Sequence, residues 1–185
     1  MDNTLLIAVI AGLVILAVAA WFFLKQRRRT HLQKKFGPEY DRALVEEGDR
    51  KRAERELASR EARVKRLEIR ALAPEQRARF LESWQRAQAD FVDAPAQAIE
   101  EADRLVTRLM ETLGYPVAKF EQRAADVSVD HPHVVENYRT ARDLAIESRR
   151  GTVNTESQRQ AMVHYRALFE DLLETRADHE VEVRR

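Results

Sequence analysis

Residues Thr4 to Leu24 form one apolar run, TLLIAVIAGLVILAVAAWFFL, with no charge and no proline. At about 1.5 Å per residue, a helix of this length reaches roughly 30 Å, the thickness of a bilayer's hydrocarbon core. A helix that is apolar on every face for so long is rarely a buried element of a water-soluble core. The run predicts an N-terminal membrane anchor. Its flanks argue against a cleaved signal peptide, which opens with positive charge and carries a shorter apolar stretch. Here the chain starts Met1-Asp2-Asn3, and Ala17-Val18-Ala19 is followed at once by bulky Trp21, Phe22 and Phe23.

The aromatic trio suits the headgroup interface, and Lys25, Arg27, Arg28 and Arg29 follow directly, with Lys34 and Lys35 close behind. Positive charge beside one end of a span holds that end in the cytoplasm. The predicted topology is a single pass through the inner membrane, N-terminus out and C-terminal domain cytoplasmic; the positive flank argues against the opposite orientation. The same six cations are candidate contacts for anionic lipid headgroups, each contributing about 1 kcal/mol, as a by-product of their role in topology.

Charge is distributed unevenly. Six of the 32 Lys and Arg and one of the 31 Asp and Glu precede Phe36, leaving 26 basic against 30 acidic residues, a balance of −4. A mildly acidic domain lacks the electrostatic footprint of a nucleic-acid binder. The absence of cysteine excludes disulfides, cysteine nucleophiles and thiolate zinc sites. With 34% charged residues but five Gly and five Pro in 185, and no sustained alternation of period two, the chain is expected to be all-α.

A first polar helix is expected to start near Phe36-Gly37-Pro38 and run to about Leu72. Glu46/Arg50, Glu47/Lys51, Glu56/Arg60 and Glu61/Lys65 are spaced as i,i+4 pairs. Leu57, Val64 and Leu67 make a thin stripe, the pattern of a solvated stalk or a weak coiled coil. Ala73-Pro74-Glu75 restarts a helix carrying Phe80, Trp84, Ala87 and Phe91. Asp93-Ala94-Pro95 opens the next, with Ile99, Ala102, Val106, Leu109 and Leu113 as a packing seam. Gly114-Tyr115-Pro116 ends it. A short helix is expected over 119–127, another opening at Asp130-His131-Pro132 and closing at Gly151, and a last one capped by Thr155-Glu156-Ser157-Gln158. The organisation predicted is an anchor with its basic segment (1–35), a long charged stalk helix (36–72), an antiparallel bundle of about four amphipathic helices (73–175) and a polar tail (176–185).

Signatures of chemistry are sparse. No glycine-rich phosphate loop and no strained nucleophile turn is present. His131, His133 and His164 could ligate a metal if folding brought them together, but His-x-His at a helix entry does not place both rings on one helix face, and capping by Asp130 with polar surface histidines is favoured. Glu121, Gln122, Arg123 and Asp126 could join Tyr138 and Arg139 in a buried polar network. Tyr115, Phe120 and Tyr138 are candidate partner contacts, with core packing as their alternative fate.

FGPEYDR (Phe36 to Arg42), FVDAP (Phe91 to Pro95), GYPVAKFEQRAADVSVDHPHVVENYR (Gly114 to Arg139) and QAMVHYRALFEDLL (Gln160 to Leu173) resemble a family of uncharacterised bacterial proteins with one N-terminal span and a helical cytoplasmic domain. The resemblance covers Phe36 to about Leu173. It implies a bacterial origin and a single-pass architecture, and it carries no activity or site residue to this chain. The function expected is a non-enzymatic, membrane-anchored interaction or scaffold module without a cofactor. Its partners would be the lipid bilayer and another protein or itself, not nucleic acid. The alternative is a small-ligand or metal-binding helical bundle tethered to the membrane.

Overall fold

A computed structural model describes residues 3–116 and 119–174, apart from the side chains of residues 3–11 and Val14. The expected polar tail, 176–185, lies outside the described residues. Those described form eight α-helices and no strand, so the chain is all-α. Two compact units divide it, Met1–Ala58 and Ser59–Arg185.

The first unit holds α1 (Asn3–Phe36), α2 (Pro38–Glu47) and the first turns of α3 (Arg50–Val64). Among the described residues no helix is long and apolar enough to cross a membrane. The described side chains of α1 begin at Gly12 and soon meet Lys25, Arg27, Arg28 and Arg29; the apolar residues up to Ala11 lie outside them.

The predicted single stalk helix starts where expected but breaks at Gly48 and ends early, at Val64. The chain turns at Gly37, and Pro38 opens α2 in its first turn. Gly48 then closes α2 in the left-handed conformation, φ 64°, its N–H bonded to Leu44 O. That conformation is cheap for glycine and costs other L-residues about 1–2 kcal/mol. Asp49 caps α3, its side chain accepting the Arg52 N–H at 3.0 Å. Glu46/Arg50 and Glu47/Lys51 therefore straddle a break, and Glu46 pairs instead with Arg42 at 2.8 Å.

Leu32, Phe36, Tyr40, Ala43, Ala53 and Leu57, drawn from all three helices, are buried. The Tyr40 hydroxyl donates to Glu54 Oε1 at 3.0 Å, joining α2 to α3. Burial, then the Glu54 hydrogen bond and charge, push the Tyr40 phenol up, against a smaller downward pull from Arg29 on α1. A helical segment with side chains of this size buried is a folded element, not a solvated stalk.

The second unit contains α4 (Pro74–Asp90), α5 (Pro95–Leu113), α6 (Phe120–Asp130), α7 (Val135–Arg149) and α8 (Thr155–Glu174). Helix α5 packs on α4, α7 and α8, α7 packs on α8, and short α6 lies on α7. The expected seam of α5, Ile99 to Leu113, is buried in full. Trp84 stacks on Phe169 with ring centroids 4.8 Å apart.

Val64 is also buried, and Leu67, Ile69 and Leu72 pack against the bundle core. The segment after α3 thus crosses the bundle as a non-helical strap, where a continuing helix was expected. It is tied by Arg70 N–H to Leu113 O at 2.8 Å. The expected caps shift by one residue: α5 follows Ala94 rather than Asp93, and α8 is capped by Asn154, whose Oδ1 accepts the Ser157 N–H at 2.8 Å.

Candidate functional site

On α1, Leu13, Ile15, Leu16, Val18 and Trp21 to Leu24 are each 58–68% exposed. With 100° between successive residues, these positions cover every face of the helix. They form a collar of large apolar groups, not a stripe that one neighbouring helix could cover. The basic residues follow at once. Lys25, Arg27, Arg28 and Lys34 are exposed, while Arg29 and Lys35 are partly buried. Lys25 Nζ lies 5.2 Å from the Trp21 ring centroid, a cation–π contact at the rim of the collar.

In the second unit the three histidines take different partners. Asp171 on α8 accepts from His131 Nδ1 through Oδ2, and from His133 Nε2 through Oδ1 at 2.9 Å. Burial alone would raise the Asp171 carboxyl, but the His131 hydrogen bond and the charges of both histidines outweigh it and hold it below the usual carboxylate range. An ionised carboxylate only accepts, so the ring nitrogens facing it carry protons.

The expectation that the His-x-His pair sits at a helix entry, with its rings on different faces, is corrected. His131 is the C-cap of α6, and α7 starts only at Val135. The two histidines sit on a turn, so helix geometry does not separate them. His131 is 2% exposed, not surface, while His133 is open to solvent. Asp130 does not cap α7; it accepts the Tyr115 hydroxyl at 3.1 Å. His164 pairs with Asn137 Oδ1 at 3.0 Å through Nδ1. Among the described residues no group of three or more His, Cys, Asp or Glu could hold a metal ion.

A second polar cluster lies between α5, α7 and α8. Asp103 accepts the Tyr165 hydroxyl at 2.9 Å and Arg142 Nη1 at 2.5 Å. Arg142 also lies over Phe120, whose ring meets Tyr138 at 4.8 Å. Burial, then the Asp103 charge and hydrogen bond, push the Tyr165 phenol far up, and Tyr138 is raised chiefly by burial. Part of the expected polar network is present in a different form. Fully buried Asp126 accepts from Gln122 at 3.0 Å and from Arg63 at 2.7 Å, which ties the end of α3 to α6. Arg123 lies beside the Tyr138 hydroxyl.

The candidate partner contacts are placed mostly inside. Tyr115 is 3% and Tyr138 0% exposed, and Phe120 is half-buried against the core. The bundle's described surface offers instead a polar cleft of about 610 Å³ between α4 and α5, bordered by Arg86, Asp90, Asp93, Gln97, Glu101 and Arg104. Asp171, Asp103 and Arg142 carry no motif in the sequence; only the packing of α8 against α5 and α7 singles them out. No protein-family model, curated protein or solved structure matches the chain.

Proposed function

We propose that the chain is a membrane-anchored helical interaction module. In this reading α1 crosses the inner membrane and the remainder stands in the cytoplasm as a non-enzymatic docking or scaffold domain for another protein or for itself. The observation that carries the reading is the apolar collar of α1. Transferring eight large side chains from water to an apolar phase is worth on the order of 10–20 kcal/mol, and no single packed helix covers all faces at once. The basic residues that follow give the span its orientation.

The polar clusters support a docking role over a catalytic one. Asp171 and Asp103 are each engaged by two donors, one on each oxygen, and Tyr165 is held protonated by its surroundings. General acid–base work needs a group with a free proton path to a substrate. Tethering supplies a partner at high local concentration, so modest contacts suffice. The polar α4–α5 cleft is the surface proposed to meet that partner.

Photo-crosslinking from Gln97, an exposed residue of that cleft, tests the docking role in intact cells. One recurrent adduct, with another protein or with a second copy, is the expected result. A Gln97 probe that yields no adduct, while a probe on the exposed opposite side of the bundle does, would remove the cleft as the contact surface.

A further inference from the structure

The break at Gly48 folds α3 back toward α1, which a straight stalk could not do. It brings Asp49, Arg50, Lys51 and Glu54 against Phe22, Lys25, Gln26 and Arg29, and the two sets enclose a cleft of about 470 Å³. Residues twenty or more positions apart in sequence thereby share one site, all within the first unit.

The charge of this cleft is unbalanced. Four cations, Lys25, Arg29, Arg50 and Lys51, face two carboxylates, and both carboxylates are engaged. Asp49 accepts the Arg52 N–H at the start of α3, and Glu54 accepts the Tyr40 hydroxyl. Arg29 Nε is buried without a hydrogen-bond partner, while the rest of the guanidinium interacts with the Tyr40 hydroxyl. The cleft borders the start of α3, the positive end of its dipole. Phe22, 64% exposed, is the apolar border of the cleft and belongs to the collar. A ligand that fits is anionic at one end and apolar at the other.

We propose that the α1–α3 cleft binds the phosphate of an anionic phospholipid, with Lys25, Arg29, Arg50 and Lys51 holding the headgroup and Phe22 against the acyl chain. This rests on the anchor reading, which puts the Trp21–Phe23 aromatics at the interface and so puts the cleft at headgroup depth. It differs from the diffuse attraction of a basic juxtamembrane cluster. Arg50 and Lys51, outside that cluster, are part of the site, whereas Arg27 and Arg28, inside it, do not line the cleft.

Native mass spectrometry of the full chain in a neutral detergent, titrated with phosphatidylglycerol, phosphatidylcholine or inorganic phosphate, tests the proposal. One retained phosphatidylglycerol per chain is expected, with phosphatidylcholine not retained and millimolar inorganic phosphate failing to displace the lipid. At about fivefold per cation removed, the double variant Arg50→Ala/Lys51→Ala should weaken retention about 25-fold. Arg27→Ala/Arg28→Ala should stay within about twofold of the parent.

Equal losses in the two double variants would overturn the discrete site in favour of diffuse attraction, and equal retention of phosphatidylcholine would also overturn it. Displacement by inorganic phosphate would make the cleft a free-anion site and end the lipid assignment. Alkaline carbonate extraction of membranes separates this from the anchor reading. A chain that is extracted yet retains the lipid refutes the span and leaves the cleft. A chain that stays in the membrane while both double variants behave alike refutes the cleft and leaves the span.

Discussion

At the scale of single residues, the bundle's specificity rests on carboxylates that each serve two donors. Asp103 joins α5 to α7 and α8 through Arg142 and Tyr165. Replacing it by alanine strands a phenol and a guanidinium in a largely dry setting, so Asp103→Ala is expected to cost about 2–4 kcal/mol, against about 1 kcal/mol for Tyr165→Phe. Urea unfolding of the full chain in detergent checks both; equal, small losses would contradict the shared role of Asp103. Asp171 gives a pH signature. Its carboxyl is depressed in the fold, so it contributes stability above the unfolded carboxylate value of about 3.9 and loses it as pH falls through the lower folded value. The stability gap between the parent and Asp171→Asn should hold from neutral pH to about pH 4 and close below it. A gap that closed already near pH 6 would contradict the ionised-carboxylate description. The raised tyrosines act at the other extreme. Their neutral forms are favoured in the fold, so stability is full below about pH 10 and falls as pH rises beyond it, where the unfolded chain ionises first. None of these pairings was legible in the sequence. Asp103 and Asp171 look like ordinary solvent-facing helix acids, and their partners come from other helices, which a one-dimensional pattern does not register.

At the scale of elements, the sequence disclosed what periodicity controls and missed what a single backbone conformation controls. The α5 seam was legible because its three–four spacing is the signature of a buried helix face. The break of the charged segment was not, because its dense i,i+4 pairing argues for continuity while one glycine argues against it. Gly48 wins because Asp49 is ready to cap the next helix. Two substitutions separate the glycines. At Gly48 a Cβ would meet nothing within 4 Å, so Gly48→Ala carries only the left-handed backbone penalty of about 1 kcal/mol. At Gly114, φ 102°, a Cβ would lie 2.4 Å from the Glu68 carbonyl oxygen, where the strap crosses the end of α5. Gly114→Ala must displace backbone and is expected to cost roughly 3 kcal/mol or more. Thermal unfolding of the two variants should rank Gly114→Ala well below Gly48→Ala; similar melting temperatures would contradict the close crossing of strap and helix.

At the scale of the whole molecule, the chain pairs a collar of exposed apolar residues with a bundle whose described surface is polar. Among the described residues outside α1, the large hydrophobic side chains that are exposed are Val45, Val92 and Val163, one to a helix or loop, too scattered to form a patch that demands cover. Among the described residues the apolar surplus is concentrated in α1, and the proposed membrane span rests on it. Composition made this contrast visible before any fold was known. The folding-back of α2 and α3 was hidden, and with it the cleft of Lys25, Arg29, Arg50 and Lys51. The proposed span puts α1 across the membrane with its N-terminus outside. Because the chain has no cysteine, single cysteines can be introduced without background. The most direct measurement labels Asn3→Cys and Gln97→Cys with a membrane-impermeant maleimide in intact spheroplasts and again after lysis. Asn3→Cys is expected to be labelled in intact spheroplasts and Gln97→Cys only after lysis. Protection of both positions until lysis, or labelling of Gln97→Cys alone in intact spheroplasts, would contradict it.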